Sequence, residues 1–420
     1  MLHTCPILTV ALAQVQRIIL SKYNIDRLRS ARVAGGEKPN MIITVICDVL
    51  GKENNGTTIA CMNLIRGLKK RGHTVRVVCM DKDKMGREGY YIVPELNLGP
   101  LNPIVHLNGV SIARADKSIL EYAIRDCDLV HTALVFSLAR CAIKIAKKYN
   151  KPITSSFHCQ AENFTAHIGL KDFKIANELA YYSYYSGVYS KSDCIHYPTQ
   201  FIRDVFEDVT KRRTNGVVIS NGVNAIFTPG KADKPSELRN KFVIISVGRL
   251  SSEKNHNVLV RAVALSKYKN TIHLIIAGDG PRKGCVKNLA KRKGVDLEIN
   301  FYSRSDLVNA LHFADLYVHP AEVELESIAC LEAICSGLVP IIADSQKSAA
   351  RYFALDDRSL FKNKDSRDLA KKIDYWIEHP KEREFQREQY IKSSMRFEQE
   401  QCMDAMERMM IDTYEKHMAC

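Results

Sequence analysis

Apolar and polar positions alternate along this chain in two rhythms. Met41 to Cys47 is a short apolar run rich in β-branched residues, which reads as a buried strand. A polar loop from Asp48 to Gly56 follows, holding Gly51 and Asn55-Gly56. Thr57 to Lys70 then carries Ile59, Met62, Leu64, Ile65 and Leu68 at helical spacing, and Gly72 closes the segment as a glycine just past a helix does. Val75 to Met80 is apolar again. Strand, loop, helix, strand is the βαβ unit of a parallel sheet. The rhythm returns with strands at Asp128–Thr132, Ile153–Phe157, Cys194–His196 and Val217–Ser220, and helices at Leu138–Tyr149 and Thr199–Glu207.

Between Gly230 and Arg239 the chain is polar, with Pro229, Gly230 and Pro235 as punctuation, and this stretch reads as an interdomain linker. A second alternating set begins after it. Strands are expected at Phe242–Val247, Ile272–Ala277, Leu316–His319 and Val339–Ala343, with helices at His256–Leu265 and Ile328–Ser336. The chain beyond Ser366 has a helical pattern rich in charge. The expected fold class is α/β, two doubly wound Rossmann-like domains facing a central cleft into which the strand-end loops open. The expected division is an extension over 1–40, a first domain over 41–229, a second over 230–395, and a helical segment over 396–420 packing back on the first domain.

Length and composition sharpen this picture without changing it. A chain of 420 residues exceeds what a single core usually supports, so two domains are the default. The thirteen cysteines are scattered singly with no CxxC pair, which argues against a disulfide framework or zinc site and for a reducing compartment. In the first forty residues an apolar run, Cys5 to Val15, precedes its basic residues Arg17, Arg27, Arg29 and Arg32. That order is the reverse of a secretory signal, so an extension outside the fold is expected, with Met41 as the first strand residue. No apolar run approaches the roughly 20 residues of a spanning helix. The net charge of +14 attracts polyanions: nucleic acid, an anionic membrane or a phosphate-bearing ligand.

Two segments carry candidate chemistry. Val247 to Asn255 joins a strand to a helix and holds Arg249 and Lys254 at the strand end, where a planar fork and a point charge suit a diphosphate better than they suit a solvated surface. Glu322 to Glu332 packs Glu322, Glu324, Glu326 and Glu332 into one loop-to-helix passage. Carboxylates so grouped are expected to repel and to perturb one another, and they make bidentate hydrogen bonds to vicinal hydroxyls. A helix starting near Ser327 would turn free amides, with Ile328 in its first turn, toward an anion. Acidic residues placed for the helix macrodipole account for Glu324 and Glu326 but not for Glu332, which lies deeper in an apolar stretch.

With these residues in hand, the chain from Met41 to about Tyr414 resembles the retaining GT-B glycosyltransferases of family four. Glu324 and Glu332 match that family's two glutamates separated by seven residues, and Val247-Gly248-Arg249-Leu250 with Lys254 matches its phosphate-binding segment. Gly278-Asp279-Gly280-Pro281 and Asn221-Gly222-Val223 are also similar to family stretches. The resemblance implies a GT-B fold, a nucleoside diphosphate sugar as donor, no cofactor and no bound metal. It assigns the donor sugar to Glu324, the ribose to Glu332, the diphosphate to Arg249 and Lys254, and a place beside the donor to Gly56, Ser327 and Ile328. His158, in Phe157 to Asn163, is implied to face the reacting sugar and acceptor as a catalytic residue with Glu324. The departure is Glu326-Ser327, where the family usually carries Phe-Gly; it puts the sugar preference in question.

Within the family the chain looks most similar to diacylglycerol glucosyltransferases. That implies glucose from UDP-glucose, transferred with retention to diacylglycerol or a related glycerolipid at the cytosolic face of a membrane, the enzyme being peripheral. Gln160, Glu162 and Asn163 are the expected acceptor-side residues. Lys144, Lys147, Lys148, Tyr181 and Tyr185 are expected to meet an anionic lipid surface, although a solvated basic face and a tyrosine-rich core explain them equally well. Competing readings are a polysaccharide or other soluble-acceptor transferase, a donor-binding protein without catalysis, and a basic nucleic-acid-binding α/β protein. The last lacks any recognised nucleic-acid motif, and the acidic 322–332 segment opposes a polyanion. The acidic pairs Asp81/Asp83 and Asp126/Asp128 form a weak metal pattern and are read as caps or turns. Nothing in the sequence sets the oligomeric state.

Overall fold

The computed structural model describes residues 40–50, 56–97, 99, 112–166 and 172–420. The expectations for 1–39, Gly51 and Asn55 lie outside these residues.

The first domain is a seven-stranded parallel sheet in the order β3-β2-β1-β4-β5-β6-β7. Its strands are β1 (Ile42–Ile46), β2 (Thr74–Cys79), β3 (Tyr90–Ile92), β4 (Leu129–Thr132), β5 (Ile153–Ser156), β6 (Cys194–Tyr197) and β7 (Gly216–Val218). Its helices are α1 (Gly56–Lys70), α2 (Lys117–Ile124), α3 (Ser137–Lys148), α4 (Ala161–Ala166), α5 (Lys174–Gly187) and α6 (Gln200–Thr210). The second domain is a six-stranded parallel sheet in the order β10-β9-β8-β11-β12-β13. It comprises β8 (Phe242–Val247), β9 (Ile272–Ala277), β10 (Leu297–Asn300), β11 (Leu316–His319), β12 (Pro340–Asp344) and β13 (Leu360–Lys362). Around it lie α7 (His256–Leu265), α8 (Lys283–Lys293), α9 (Arg304–Phe313), α10 (Ile328–Cys335), α11 (Ser366–Glu378) and α12 (Pro380–Ser394), and α13 (Gln399–Ala419) ends the chain.

The central strands are buried on both faces, so they read as continuous apolar runs rather than alternating ones. Ile43 of β1 sits opposite Val75 and Leu129. Strand order reverses between β1 and β4 in the first sheet and between β8 and β11 in the second. Crevices open beyond the carboxyl ends of such strands. The loops after β1, β8 and β11 are therefore where ligands belong, and they contain Gly56, Lys254 and Glu324.

The chain crosses between domains earlier than the polar stretch 230–239 suggests. Val223 and Phe227 already pack in the second domain's core, and so does Leu238 inside the expected linker. Polarity there reflects a surface turn, not a tether: Lys234 Nζ pairs with Asp315 at 2.5 Å. The return crossing lies beside the outward one, with Val223 N donating to Phe397 O at 2.7 Å and Gln399 N to Val223 O at 3.1 Å. Helix α13 then lays Met403, Met406, Met409 and Met410 into the first domain's core. Gly67 makes room, since a Cβ there would lie 2.6 Å from Met403 Cε. Arg71 holds Asp404 at 2.7 Å, and buried His73 meets buried Glu407 at 3.1 Å.

Candidate active site

Two loops of the second domain lock together before any charged group is placed. Leu250 N donates to Asp279 O, and Arg282 N to Leu250 O, both at 2.9 Å. Only glycine permits this approach at Gly278, where a Cβ would lie 2.0 Å from the Gly248 carbonyl oxygen. The Gly278-Asp279-Gly280 stretch thus braces the loop that carries half-buried Arg249. A short 3-10 turn over Ser252–Lys254 then returns Lys254 to the cleft, ahead of Asn255 with φ +51°.

Lys254 Nζ pairs with Glu324 Oε1, and His319 Nε2 lies 3.1 Å from the same carboxylate oxygen. His319 Nε2 is also 3.0 Å from Ser327 Oγ, and its Nδ1 is 3.1 Å from Tyr317 OH. An ionised carboxylate only accepts, so the network is satisfied when His319 carries its proton on Nε2 and Tyr317 donates to Nδ1. Burial alone would push the Glu324 carboxyl up; Lys254 and His319 outweigh it and hold it at about 2. Glu324 is therefore ionised throughout the neutral range, with its cation already in place.

The four glutamates do not share one partner. The chain turns each to a different partner. Glu322 pairs with Lys364 at 2.6 Å. Glu324 takes Lys254 and His319. Glu326 accepts from Ser220 Oγ at 2.5 Å and Asn221 Nδ2 at 2.5 Å. Glu332, inside α10, has Arg304 at 3.6 Å. Burial pushes Glu326 up to about 7 in spite of its donors, opposite in direction to Glu324. Helix α10 starts immediately after Ser327, which holds φ +73°. A non-glycine residue there is strained, and the Ser327 hydroxyl bonded to His319 offsets part of that cost.

The first domain presents its strand-end residues across the cleft. An added Cβ on Gly56 would meet Ile328 Cδ1 at 4.0 Å, so α1 and α10 begin face to face. Gln160, at the end of the β5 loop, donates from Nε2 to Lys347 O at 3.0 Å; Glu324 N donates to the same carbonyl at 3.3 Å. His158 lies half-buried over a polar chain that crosses the sheet: His131 Nε2 to Ser156 Oγ at 3.0 Å, Ser156 Oγ to His196 Nδ1 at 2.9 Å, and His196 Nε2 to Ile219 O at 2.6 Å. Its ring stands 5.9 Å from that of His196. Burial, then His196 and His131, push His158 well below the usual histidine range, so it faces the cleft as a neutral imidazole.

The acceptor-side residues divide. Asn163 stays half-buried in the first turn of α4. Glu162 Oε2 is taken by Tyr181 OH at 2.8 Å. Tyr181 cannot meet a lipid surface: it is 1% exposed, and its ring packs with those of Phe157 and Phe206. Tyr185 packs against Phe206 as well. These tyrosines face the core because positions 177, 181 and 184 form the inner stripe of α5. The outer stripe holds Ile175, Leu179 and Tyr182, with Phe173 just before the helix. Lys144 and Lys147 are exposed on α3, whereas Lys148 pairs with Glu121 at 2.7 Å. The acidic pairs have structural partners: Asp81 accepts from Leu50 N, Asp83 pairs with Lys84, Asp126 with Arg76, and Asp128 accepts from Ile42 N.

Sequence reasoning missed His319, Tyr317, Arg304, Lys347 and the Ser220-Asn221 pair. His319 carried a signal, a polar residue closing an apolar strand ahead of the acidic loop. Tyr317 bonds to His319 two residues away, and the rest act through contacts between residues far apart in the chain, which no local pattern shows.

Comparison with known proteins places this geometry. Residues 54–226 match the family Glycosyltransferase Family 4, and residues 230–393 match Glycosyl transferases group 1. An alpha-monoglucosyldiacylglycerol synthase of Streptococcus pneumoniae is 27% identical over 320 residues, 72% of this chain and 71% of that protein. The protein of the same name from Acholeplasma laidlawii is 25% identical over 313 residues, 69% of this chain and 76% of its own. Among solved structures, Anabaena HepE in complex with UDP and glucose superposes with a TM-score of 0.68 at 16% identity, covering 90% of this chain and all of that one. The catalytic domain of cholesterol-alpha-glucosyltransferase from Helicobacter pylori is 51% identical over 37% of this chain and 97% of its own, with a TM-score of 0.36.

Proposed function

The chain belongs to the GT-B glycosyltransferases, a family 4 domain followed by a group 1 domain, and from that premise we propose that it moves glucose from UDP-glucose to a membrane lipid hydroxyl with retention at the anomeric carbon. Diacylglycerol or a related glycerolipid is the acceptor of this reading, taken up at the cytosolic face of a membrane. The observation that carries it is the triad of Lys254, Glu324 and His319 beside the start of α10, whose Ile328 lies across from Gly56. Two relatives named for glucosyldiacylglycerol synthesis support the acceptor class.

The residues divide the work by charge. A carboxylate held ionised accepts hydrogen bonds from sugar hydroxyls, which is the part given to Glu324. Glu332 does the same for the ribose. As the bond to the anomeric carbon breaks, charge collects on the leaving diphosphate; Arg249, Lys254 and the free amides of α10 stabilise it there. The acceptor hydroxyl attacks from the face the diphosphate leaves and gives its proton to the departing phosphate oxygen, so the configuration is kept. Neutral His158 offers a hydrogen bond beside the reacting sugar without adding a cation that would compete for the diphosphate. Gln160 donates to the Lys347 carbonyl that also accepts from Glu324 N, an interdomain contact that helps keep water from the donor.

No helix among the described residues is long and apolar enough to cross a membrane. The lipid is instead reached from the outer stripe of α5, where Phe173, Ile175, Leu179 and Tyr182 are all exposed. Arg140 of α3 touches Ser183 on the same helix, and Lys144 and Lys147 continue its face. An apolar stripe flanked by cations suits an anionic bilayer. The enzyme incubated with UDP-glucose and vesicles containing diacylglycerol or a sterol, beside a soluble oligosaccharide, should yield an α-linked glucolipid, identified by mass and by the anomeric proton coupling. A sterol product would move the acceptor within the lipid class; glucosylation of the soluble acceptor alone would overturn the lipid reading.

A further inference from the structure

The loop between Glu324 and Ser327 divides its side chains between the two domains. Glu324 and Ser327 bond to Lys254 and His319 of their own domain. The residues between them reach across. Leu325 packs against the first domain's core, and its carbonyl accepts from Thr199 Oγ1 at 2.9 Å. Glu326, 3% exposed, places both carboxylate oxygens on the crossover segment. Oε1 accepts from Ser220 Oγ at 2.5 Å and Asn221 N at 3.2 Å; Oε2 accepts from Asn221 Nδ2 at 2.5 Å and Asn221 N at 3.3 Å.

That segment carries the outward crossing between the domains, where a hinge would lie. Ser220 Oγ also accepts from Gly222 N at 3.1 Å, and Gly222 holds φ +75° with no room for a side chain, a Cβ being 2.8 Å from Gln399 Cα at the start of α13. Glu326 therefore grips the point where both interdomain crossings run side by side. We propose that Glu326 is a positioning residue that couples the donor-sugar loop to the hinge, so that seating the sugar on Glu324 and closing the cleft occur together. The proposal rests on the glycosyltransferase reading of the cleft, not on the acceptor.

The energetics fit a contact that must form and break in each turnover. A carboxylate with this many donors in water-free surroundings would be a rigid clasp if a cation compensated its burial. Among the described residues no cation bonds to it, and burial outweighs the donors, raising its carboxyl to about 7. The net hold is small, while the geometry is specific. A phenylalanine at this position, the residue more usual in the resembling family, could fill the space but could not grip the hinge amides.

Three variants test it at pH 8, with turnover of UDP-glucose and calorimetric affinity for UDP read on each. Glu326→Leu keeps the bulk and loses every acceptor; kcat should fall about tenfold, the loss of a charge-assisted hydrogen bond, while UDP affinity stays within about threefold. Glu326→Gln keeps an acceptor oxygen and should recover most of the loss. Ser220→Ala, on the other side of the contact, should lower kcat about threefold with UDP affinity unchanged, and it decides the matter alone if the leucine variant does not fold. Unchanged kcat in Glu326→Leu, or UDP affinity falling in step with kcat, or a glutamine variant as impaired as the leucine one, would overturn the coupling. Wild-type enzyme that binds no UDP would instead remove the glycosyltransferase reading beneath it.

Discussion

Replacing Lys254 with alanine should lower kcat/KM for the donor by about a hundred- to a thousandfold, the usual consequence of removing one preorganised charge from a developing anion. The structure makes this the most sensitive single position in the cleft. Lys254 is bonded to Glu324, so on the proposed assignment its loss would remove a cation from the diphosphate and uncover the carboxylate proposed to hold the sugar. The second consequence has a sign that can be checked. Burial raises the Glu324 carboxyl and Lys254 is the first group to oppose it, so without Lys254 the carboxyl moves up from about 2. A depressed carboxylate loses its ionised form only as pH falls through its own low value, so wild-type activity should show no Glu324 limb at mildly acidic pH. Glu326 titrates near 7 in both proteins, so the residual activity of Lys254→Ala should fall more steeply than that of the wild type as the medium is acidified. Steady-state rates against pH for both proteins decide it, and matching profiles would show that Lys254 does not hold Glu324 ionised.

The second large effect is expected at the surface. Ile175 and Leu179 are 59% and 64% exposed, one turn apart on the outer face of α5. Because both side chains are mostly exposed, Ile175→Glu with Leu179→Glu should leave the melting temperature nearly unchanged. Burying such a side chain in an apolar phase contributes about 1.5–3 kcal/mol. Losing two, and adding two anions, should weaken partition onto anionic vesicles by a hundredfold or more. Glucosylation of a lipid in vesicles should fall accordingly, with UDP affinity intact. Co-sedimentation equal to that of the wild type would remove α5 from the membrane and leave Lys144 and Lys147 as the surface to test.

What could be read from the sequence follows from which interactions are local. β8, α7, β9 and β11 fall at their expected residues because each is an apolar run ended by a sharp turn or helix cap. The edge strands β3, β10 and β13 went unseen: each is short, and none is buried along its whole length, so no apolar run marks them. The acidic segment stood out as a candidate site, since Glu332 within an apolar helix has no reason of secondary structure to be there. Its internal logic was not. Glu322, Glu324 and Glu326 look alike in sequence, yet they reach Lys364, Lys254 and Ser220, which lie apart in the chain. The tyrosines misled for a related reason. Tyr181, Tyr182, Tyr184 and Tyr185 are close in sequence, but the helix turns them by about 100° a residue, so Tyr181 faces the core while Tyr182 faces solvent. The linker was misplaced because polarity marks exposure, not the absence of packing.

Everything above depends on the 324–332 passage binding a nucleotide sugar. Calorimetric titration of UDP into the wild-type protein and into Glu332→Ala tests that most directly. One saturable site is expected in the wild type, weakened roughly ten- to a hundredfold by the substitution, the loss of charge-assisted hydrogen bonds to vicinal hydroxyls. No saturable heat in the wild type, or equal affinity in the two proteins, would contradict the assignment of this cleft.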